Sequence, residues 1–248
     1  MGWWSKLKRA VRKVTRAVKK VARAARSAFR QVVNIFKGVV NRMIGIVDFF
    51  ASLAGILPWK KLRLKVIILR KEDSSPVQSA SVVEPSIKRM IGIFAQQAKV
   101  KVIPSGDVFI KTLDDAAPAA ALNVRCDSGA WKEDFGEAGD YFSRNMAKNT
   151  SGLFTGYAAP VTAFIVWDIA NKCGCSLGPL TDYVTVEYDC VTVTGGIGTL
   201  TLAHEVGHAC GLPHWWGKGT LMEPGGTSEL LKRWQKAILR NSRHVTYL

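Results

Sequence analysis

The sequence predicts an α+β fold, one mixed sheet with a few helices, preceded by a basic helical arm. Three observations carry this expectation. Charge is divided unevenly along the chain, with Pro58 near the division. The residues after it alternate strand-like runs with helix-period segments. A histidine-bearing helix then follows the last strand-like run.

The 248 residues are 48% apolar and 22% charged, an ordinary globular composition that excludes wholesale disorder. The formal net charge is +16, from 35 basic and 19 acidic residues. Residues 1–59 hold 13 Lys/Arg and a single acid, Asp48, a net +12, which leaves the body with +4. The basicity therefore belongs to an appendage. A body built to bind nucleic acid would carry its own basic patch, so no specific nucleic acid is expected as a partner.

Within the arm, apolar residues recur at Trp4, Leu7, Val11, Val14, Val18, Val21, Ala25, Ala28, Val32, Ile35 and Val39, in steps of three and four. That is one helical stripe, with Lys and Arg on the other faces. The helix is expected to bend or break around Asn34, Gly38, Asn41 and Gly45. Residues 44–57 (IGIVDFFASLAGIL) are apolar on most faces but too short to span a bilayer. They suit a buried helix, an interfacial helix or the apolar part of an export signal. As a secretory signal the arm departs from pattern, because its basic stretch is far too long. The arm as a whole fits an anionic membrane surface, with Trp3 and Trp4 at the interface. Secondary readings are a segment removed by processing, or a stripe that packs on the body or on another copy.

The body is expected to run over residues 60–248. Lys61–Arg70 alternates and then turns wholly apolar, a first strand. Pro85–Ala98 is a helix, with Pro85 early and Ile87, Met90, Ile91 and Phe94 on one face. Val100–Ile110 is a second strand or a hairpin turned at Pro104–Asp107. Thr112–Gly136 reads as loop and Glu137–Lys148 as a short helix. Val161–Ile169 and Tyr183–Cys190 are strongly strand-like.

Three of the four histidines lie within eleven residues, in His204-Glu205-Val206-Gly207-His208-Ala209-Cys210-Gly211-Leu212-Pro213-His214. Four residues apart on a helix, His204 and His208 project from one face and can grip a single ion. Glu205 lies about 100° round the helix, where a carboxylate can act as general base. Gly211 allows the positive φ that ends a helix and brings His214 round as a third ligand. Three neutral nitrogens with one position open is the ligand set of a catalytic zinc site. Background frequencies give such a match by chance in roughly one sequence in 10⁵.

HEVGHACGLPH resembles the extended zinc motif of the metzincin metalloproteases, HExxHxxGxxH. The resemblance extends to Met222, eight residues after His214 in Leu221-Met222-Glu223-Pro224, as the methionine of a Met-turn. It extends also to a C-terminal helix over Thr227–Arg240, capped by Thr227 or Ser228, with Leu230, Leu231, Trp234 and Ile238 packed. The strict match covers residues 204–224. The chain departs from the family in the helix at 137–148, in Trp215-Trp216 after the third histidine, and in lacking a tyrosine two residues after Met222. The arm has no cysteine to serve as a latency switch.

The resemblance implies a metzincin-like catalytic domain that hydrolyses peptide bonds with one catalytic zinc ion. His204, His208 and His214 would be its ligands and Glu205 its base. A protein or peptide substrate would lie extended along a sheet edge, for which Val161, Phe164 and Trp167 are candidates, although that run equally suits a central strand. Trp215 and Trp216 are candidates for the pocket beside the scissile bond, or for packing under the Met-turn.

The five cysteines, all in the body, suit a secreted, extracellular protein. They allow two disulfides and one free thiol, or none; a second metal site is a lesser reading. Cys173 and Cys175 are too close for an easy mutual bond. Gly195–Gly198 reads as the lead-in to the zinc helix and His244 as a surface residue. An alternative of a different class is a membrane-active toxin or effector whose zinc domain is secondary or inactive.

Overall fold

The computed structural model describes residues 48–126, 136–147, 157–192, 198–214 and 217–247. The arm expected at 1–59 lies outside the described residues as far as position 47. One compact unit runs from Ile46 to Leu248. Residues 48–53 form a helical turn whose Asp48 and Ser52 are buried in that unit. The structure is mixed α+β, as expected.

The sheet is organised around β1 (Lys60–Arg70), the strand that the run KKLRLKVIILR predicts. Leu62, Leu64, Val66 and Ile68 are buried along one face, and Ile67 and Leu69 are buried as well. Alternation gives way to an apolar run where β1 becomes covered on both faces. Helix α1 (Ala80–Ala98) follows, then β2 (Val100–Pro104) and β3 (Ile110–Ala116). Helix α1 starts five residues before Pro85, which lies inside it. The preference of Pro for a first turn makes it a misleading start signal here. Its buried face is Val83, Ile87, Met90, Ile93 and Phe94, while Ile91 is only partly covered.

β2 and β3 do not form a hairpin. Both run parallel to β1, β2 against Lys60–Leu64 and β3 against Val66–Arg70. They occupy one edge of β1 in succession, with Gly106 at φ +93° in the offset between them. The segment read as loop from Thr112 begins inside β3 and continues into a helical turn α2 (Ala119–Leu122) and β4 (Asn123–Val124). Helix α3 spans Glu137–Asn145.

The other edge of β1 is also shared. β5 (Val161–Val166) pairs with Leu64–Ile68, and β9 (Val245–Thr246) pairs antiparallel with Lys61 and Leu62. A two-residue strand β6 (Asp168–Ile169) pairs with β4. Next come β7 (Gly174–Ser176), β8 (Tyr183–Glu187), helix α4 (Gly198–Ala209) and helix α5 (Arg233–Arg240). The order across the sheet is β2-β1-β5-β8-β7, and β7 is the one antiparallel member of that path.

Helix α5 is shorter than expected. Residues 226–232 are extended, since Leu230 accepts from Leu221 N–H and Ser228 bonds Gly219. The cap is Lys232 with Gln235, not Thr227 or Ser228. His244 is not a surface residue. It is buried, its Nδ1 bonding the Ala159 carbonyl. Among the described residues no helix is long and apolar enough to cross a membrane.

Candidate metal centre

Helix α4 is buried almost all round, which is why its sequence GTLTLAHEVGHA shows little amphipathicity. It packs on α1 and against β7 and β8. Only His204 and His208 reach partly into the open within its last two turns. The helix ends in a Schellman turn: Gly211 N–H donates to His208 O (2.8 Å) and Leu212 N–H to Gly207 O (3.0 Å). Gly211 has φ +89°, the conformation a glycine takes without strain. This turn brings His214 back to the other two histidines, as the spacing predicts.

The three Nε2 atoms form a triangle with sides of 2.9, 3.0 and 3.1 Å. His204 Nδ1 lies 2.7 Å from the Leu221 carbonyl, and His208 Nδ1 lies 2.6 Å from the Leu212 carbonyl. A carbonyl can only accept, so both Nδ1 atoms carry the proton. In the neutral rings the Nε2 atoms of His204 and His208 then present lone pairs to one another. Burial is the main cause that lowers all three basicities, with His208 down to about 4. Converging lone pairs on rings that resist protonation are stable around a cation, and the three side chains can hold a metal ion.

Beneath the triangle the chain turns through residues 217–222. Thr220 is fully buried, and its hydroxyl donates to Gly217 O (2.6 Å). Thr220 Oγ1 in turn accepts from Met222 N–H (3.2 Å) and from Gln235 Nε2 of α5 (3.1 Å). The turn thereby fixes the Leu221 carbonyl that orients His204. Met222 is fully buried under α4; a Cβ on Gly207 would come within 2.9 Å of its Sδ. The methionine expected beneath the histidines is thus packed against the helix segment between them.

Glu205 faces the edge of the sheet. A Cβ on Gly174 of β7 would lie 2.5 Å from Glu205 Oε1, so this carboxyl fits only under a glycine. Burial raises the Glu205 carboxyl to about 8, against the pull of the Lys172 charge. A cleft of about 380 Å³ opens beside it. Its walls include residues 171–174 above, Leu200, Thr201, His204 and Glu205 on α4, and Leu221 with residues 223–226 below.

Two disulfides hold the upper wall. Cys173 bonds Cys190 and Cys126 bonds Cys175, one bridge on each side of Gly174. Cys210 is free and buried, and burial pushes its thiol up to about 12. With Cys190 in a bridge, its grouping with Glu187 and Asp189 offers no thiolate, and the reading of a second cysteine metal site falls away.

Of the substrate-binding candidates, Val161 and Phe164 are corrected. β5 is a central strand, and both side chains are fully buried between its neighbours. The alternative of a buried central strand is the correct one. Trp167 is 38% exposed but stacks on Tyr188 at 4.5 Å with Lys71 over its ring, and it does not line the cleft. Trp215 and Trp216 lie outside the described residues. The wall at 171–174 escaped sequence reading because a short polar segment carries no periodicity. Its signal was the close-set Cys173 and Cys175. Compared with known proteins, the sequence matches no family model and no curated protein.

Proposed function

We propose that the protein is a zinc-dependent endopeptidase. The single observation that carries this is the convergence of three imidazole Nε2 atoms beside a cleft that His204, His214 and the buried carboxyl of Glu205 all line. Three nitrogens and no thiolate suit zinc. Tetrahedral zinc at a bond length of about 2.0–2.1 Å spaces its nitrogens by about 3.3–3.4 Å, so an outward shift of a few tenths of an ångström admits the ion. Zinc, when bound, supplies Lewis acidity and lowers the pKa of water.

The chain's own residues account for the rest. In its ionised form the Glu205 carboxylate would take a proton from the attacking water and return it to the leaving amine nitrogen. The Leu221 and Leu212 carbonyls hold His204 and His208 in the tautomer that keeps Nε2 free. β7 ends the described sheet beside the cleft, which supports an extended peptide adding to that edge. The methionine turn and the Schellman-to-His214 path add support for the metzincin resemblance. The two disulfides support secretion into an oxidising compartment. The net +12 of residues 1–59 supports attachment to an anionic membrane surface.

The test is Glu205→Gln. Cleavage of a peptide library should fall by about 10²–10⁴-fold while roughly one zinc per chain remains by elemental analysis. Undiminished cleavage by that variant would refute the assignment.

A further inference from the structure

The segment leading from the arm into the sheet is inverted in polarity. Asp48 and Ser52 point inward and are buried, while Phe50 and Ile56 are each 65% exposed and Trp59 is 57% exposed. Large apolar side chains left in water beside polar ones taken out of it ask for a partner. The inward groups explain one half of the inversion. Asp48 meets Lys60 at 2.8 Å, Arg240 at 3.3 Å and the Tyr247 hydroxyl at 2.6 Å, and Ser52 accepts from Arg240. That network faces the outer side chains away from the body, where Phe50 meets only the edge of Phe49 among the described ring contacts and Trp59 is covered by Lys99.

The exposed charges beside these side chains have one sign. Lys60 N–H donates to Lys99 O, and Lys99 Nζ lies 5.3 Å from the Trp59 ring. Lys61 and Lys101 stand opposite one another in register and are exposed. The stretches 49–63, 95–101 and 240–247 contain no acidic residue. Tyr247, 41% exposed, sits over the same network with Lys60 on its ring. All of this surrounds the N-terminal end of β1. Gly174 and the cleft lie by the opposite end of the sheet, since Gly174 pairs with Val186 near the C-terminal end of the parallel strand β8.

We infer that this end of the folded unit is an anionic-lipid docking face. Phe50, Ile56 and Trp59 enter the interface and Lys61, Lys99 and Lys101 meet headgroups, so that the cleft faces away from the bilayer. Charge complementarity selects the occupant: apolar side chains beside the exposed Lys61, Lys99 and Lys101 fit a negatively charged bilayer. The inference rests on the proposed membrane attachment of residues 1–59 and extends it to the described end of that segment and to Lys61, Lys99 and Lys101 of the body; it does not depend on what the cleft cleaves.

The test uses the full chain carrying Ile56→Cys, labelled with an environment-sensitive fluorophore; Cys210 is buried and escapes the label. With phosphatidylcholine vesicles containing one-quarter phosphatidylglycerol, emission should rise and shift to the blue, and quenchers on the acyl chains should reduce it. A label at Leu230→Cys, whose carbonyl bonds the cleft residue Leu221, should not respond. Lys61→Gln and Lys101→Gln should each weaken partition about fivefold, and pure phosphatidylcholine should give no signal. A label at position 56 that stays aqueous on vesicle-bound protein overturns the inference, as does an equal response at position 230. An equal response to a soluble polyanion also overturns it, because the occupant would then not be a bilayer. Matching melting curves for the labelled and parent chains show that the label leaves the fold intact.

Discussion

His204 and His208 illustrate how a backbone decides side-chain chemistry. Each ring is held by a carbonyl on Nδ1, and each carbonyl belongs to a turn that follows its own logic. Leu212 is the last residue of the Schellman turn, and Leu221 belongs to the turn pinned by Thr220. Thr220→Val should therefore act at a distance. Gln235 loses its acceptor in a buried place, at a cost of about 1–3 kcal/mol, and the Leu221 carbonyl loses its support. Metal affinity should fall roughly 10- to 100-fold, measured by competition with a chelator, with denaturant melts recording the stability loss. Gly174→Ala separates base from ligands. Its Cβ would collide with the Glu205 carboxyl, so peptide cleavage should fall about 100-fold while metal content is unchanged. At this scale the convergence of His204, His208 and His214 was legible, because it is fixed by spacing along one helix and its exit turn. Gly174 was not, since its role arises from contact with a residue far along the chain.

Among the elements, the wall over Glu205 is too short to hold itself. β7 has three residues and one strand partner, and α4 packs beneath it. Its cysteine bridges close loops of 17 and 49 residues, which in the chain-entropy account contribute about 3 and about 4 kcal/mol. Reduction should lower the melting temperature and also abolish cleavage, since the wall that seats Glu205 is released. Activity that survives full reduction, confirmed by thiol counting, would show that α4 alone positions the carboxylate. Strands β1, β5 and β8 and helices α1 and α3 were readable from periodicity. Of the two readings of Val100–Ile110, a second strand or a hairpin, the hairpin is not what the chain forms: a turn signal marks a change of direction or an offset alike, and here β3 resumes the same edge. Helix α5 was overextended for a similar reason. Leu230 and Leu231 continue a helical pattern, yet the Leu221–Leu230 hydrogen bond holds residues 226–232 extended.

The molecule as a whole is closed by Asp48. Burial alone would raise its carboxyl, but the hydrogen bonds of Lys60 and Tyr247 and the charges of Lys60 and Arg240 outweigh it and hold it below 3.8. A carboxyl lowered on folding stabilises above its unfolded pKa, and that contribution disappears as pH falls through the folded value. Stability should therefore decline below about pH 4, with a shallower acid limb in Asp48→Asn. At neutral pH that variant should lose about 3–5 kcal/mol, because Lys60 and Arg240 stay buried without their counter-charge. A chain begun at Lys60 should show the same loss, and one begun at Ile46 should not. Asp48 is also 192 residues from Arg240 and 199 from Tyr247. A ribosome adding about 5–20 residues per second takes on the order of 10–40 s to cover that distance. Throughout that interval the carboxylate lacks both partners, and the segment bearing Phe50, Ile56 and Trp59 is not yet locked in place. Residues 1–59 are thus synthesised well before the folded unit can close around Asp48, and any partner that recognises their charge can meet them first.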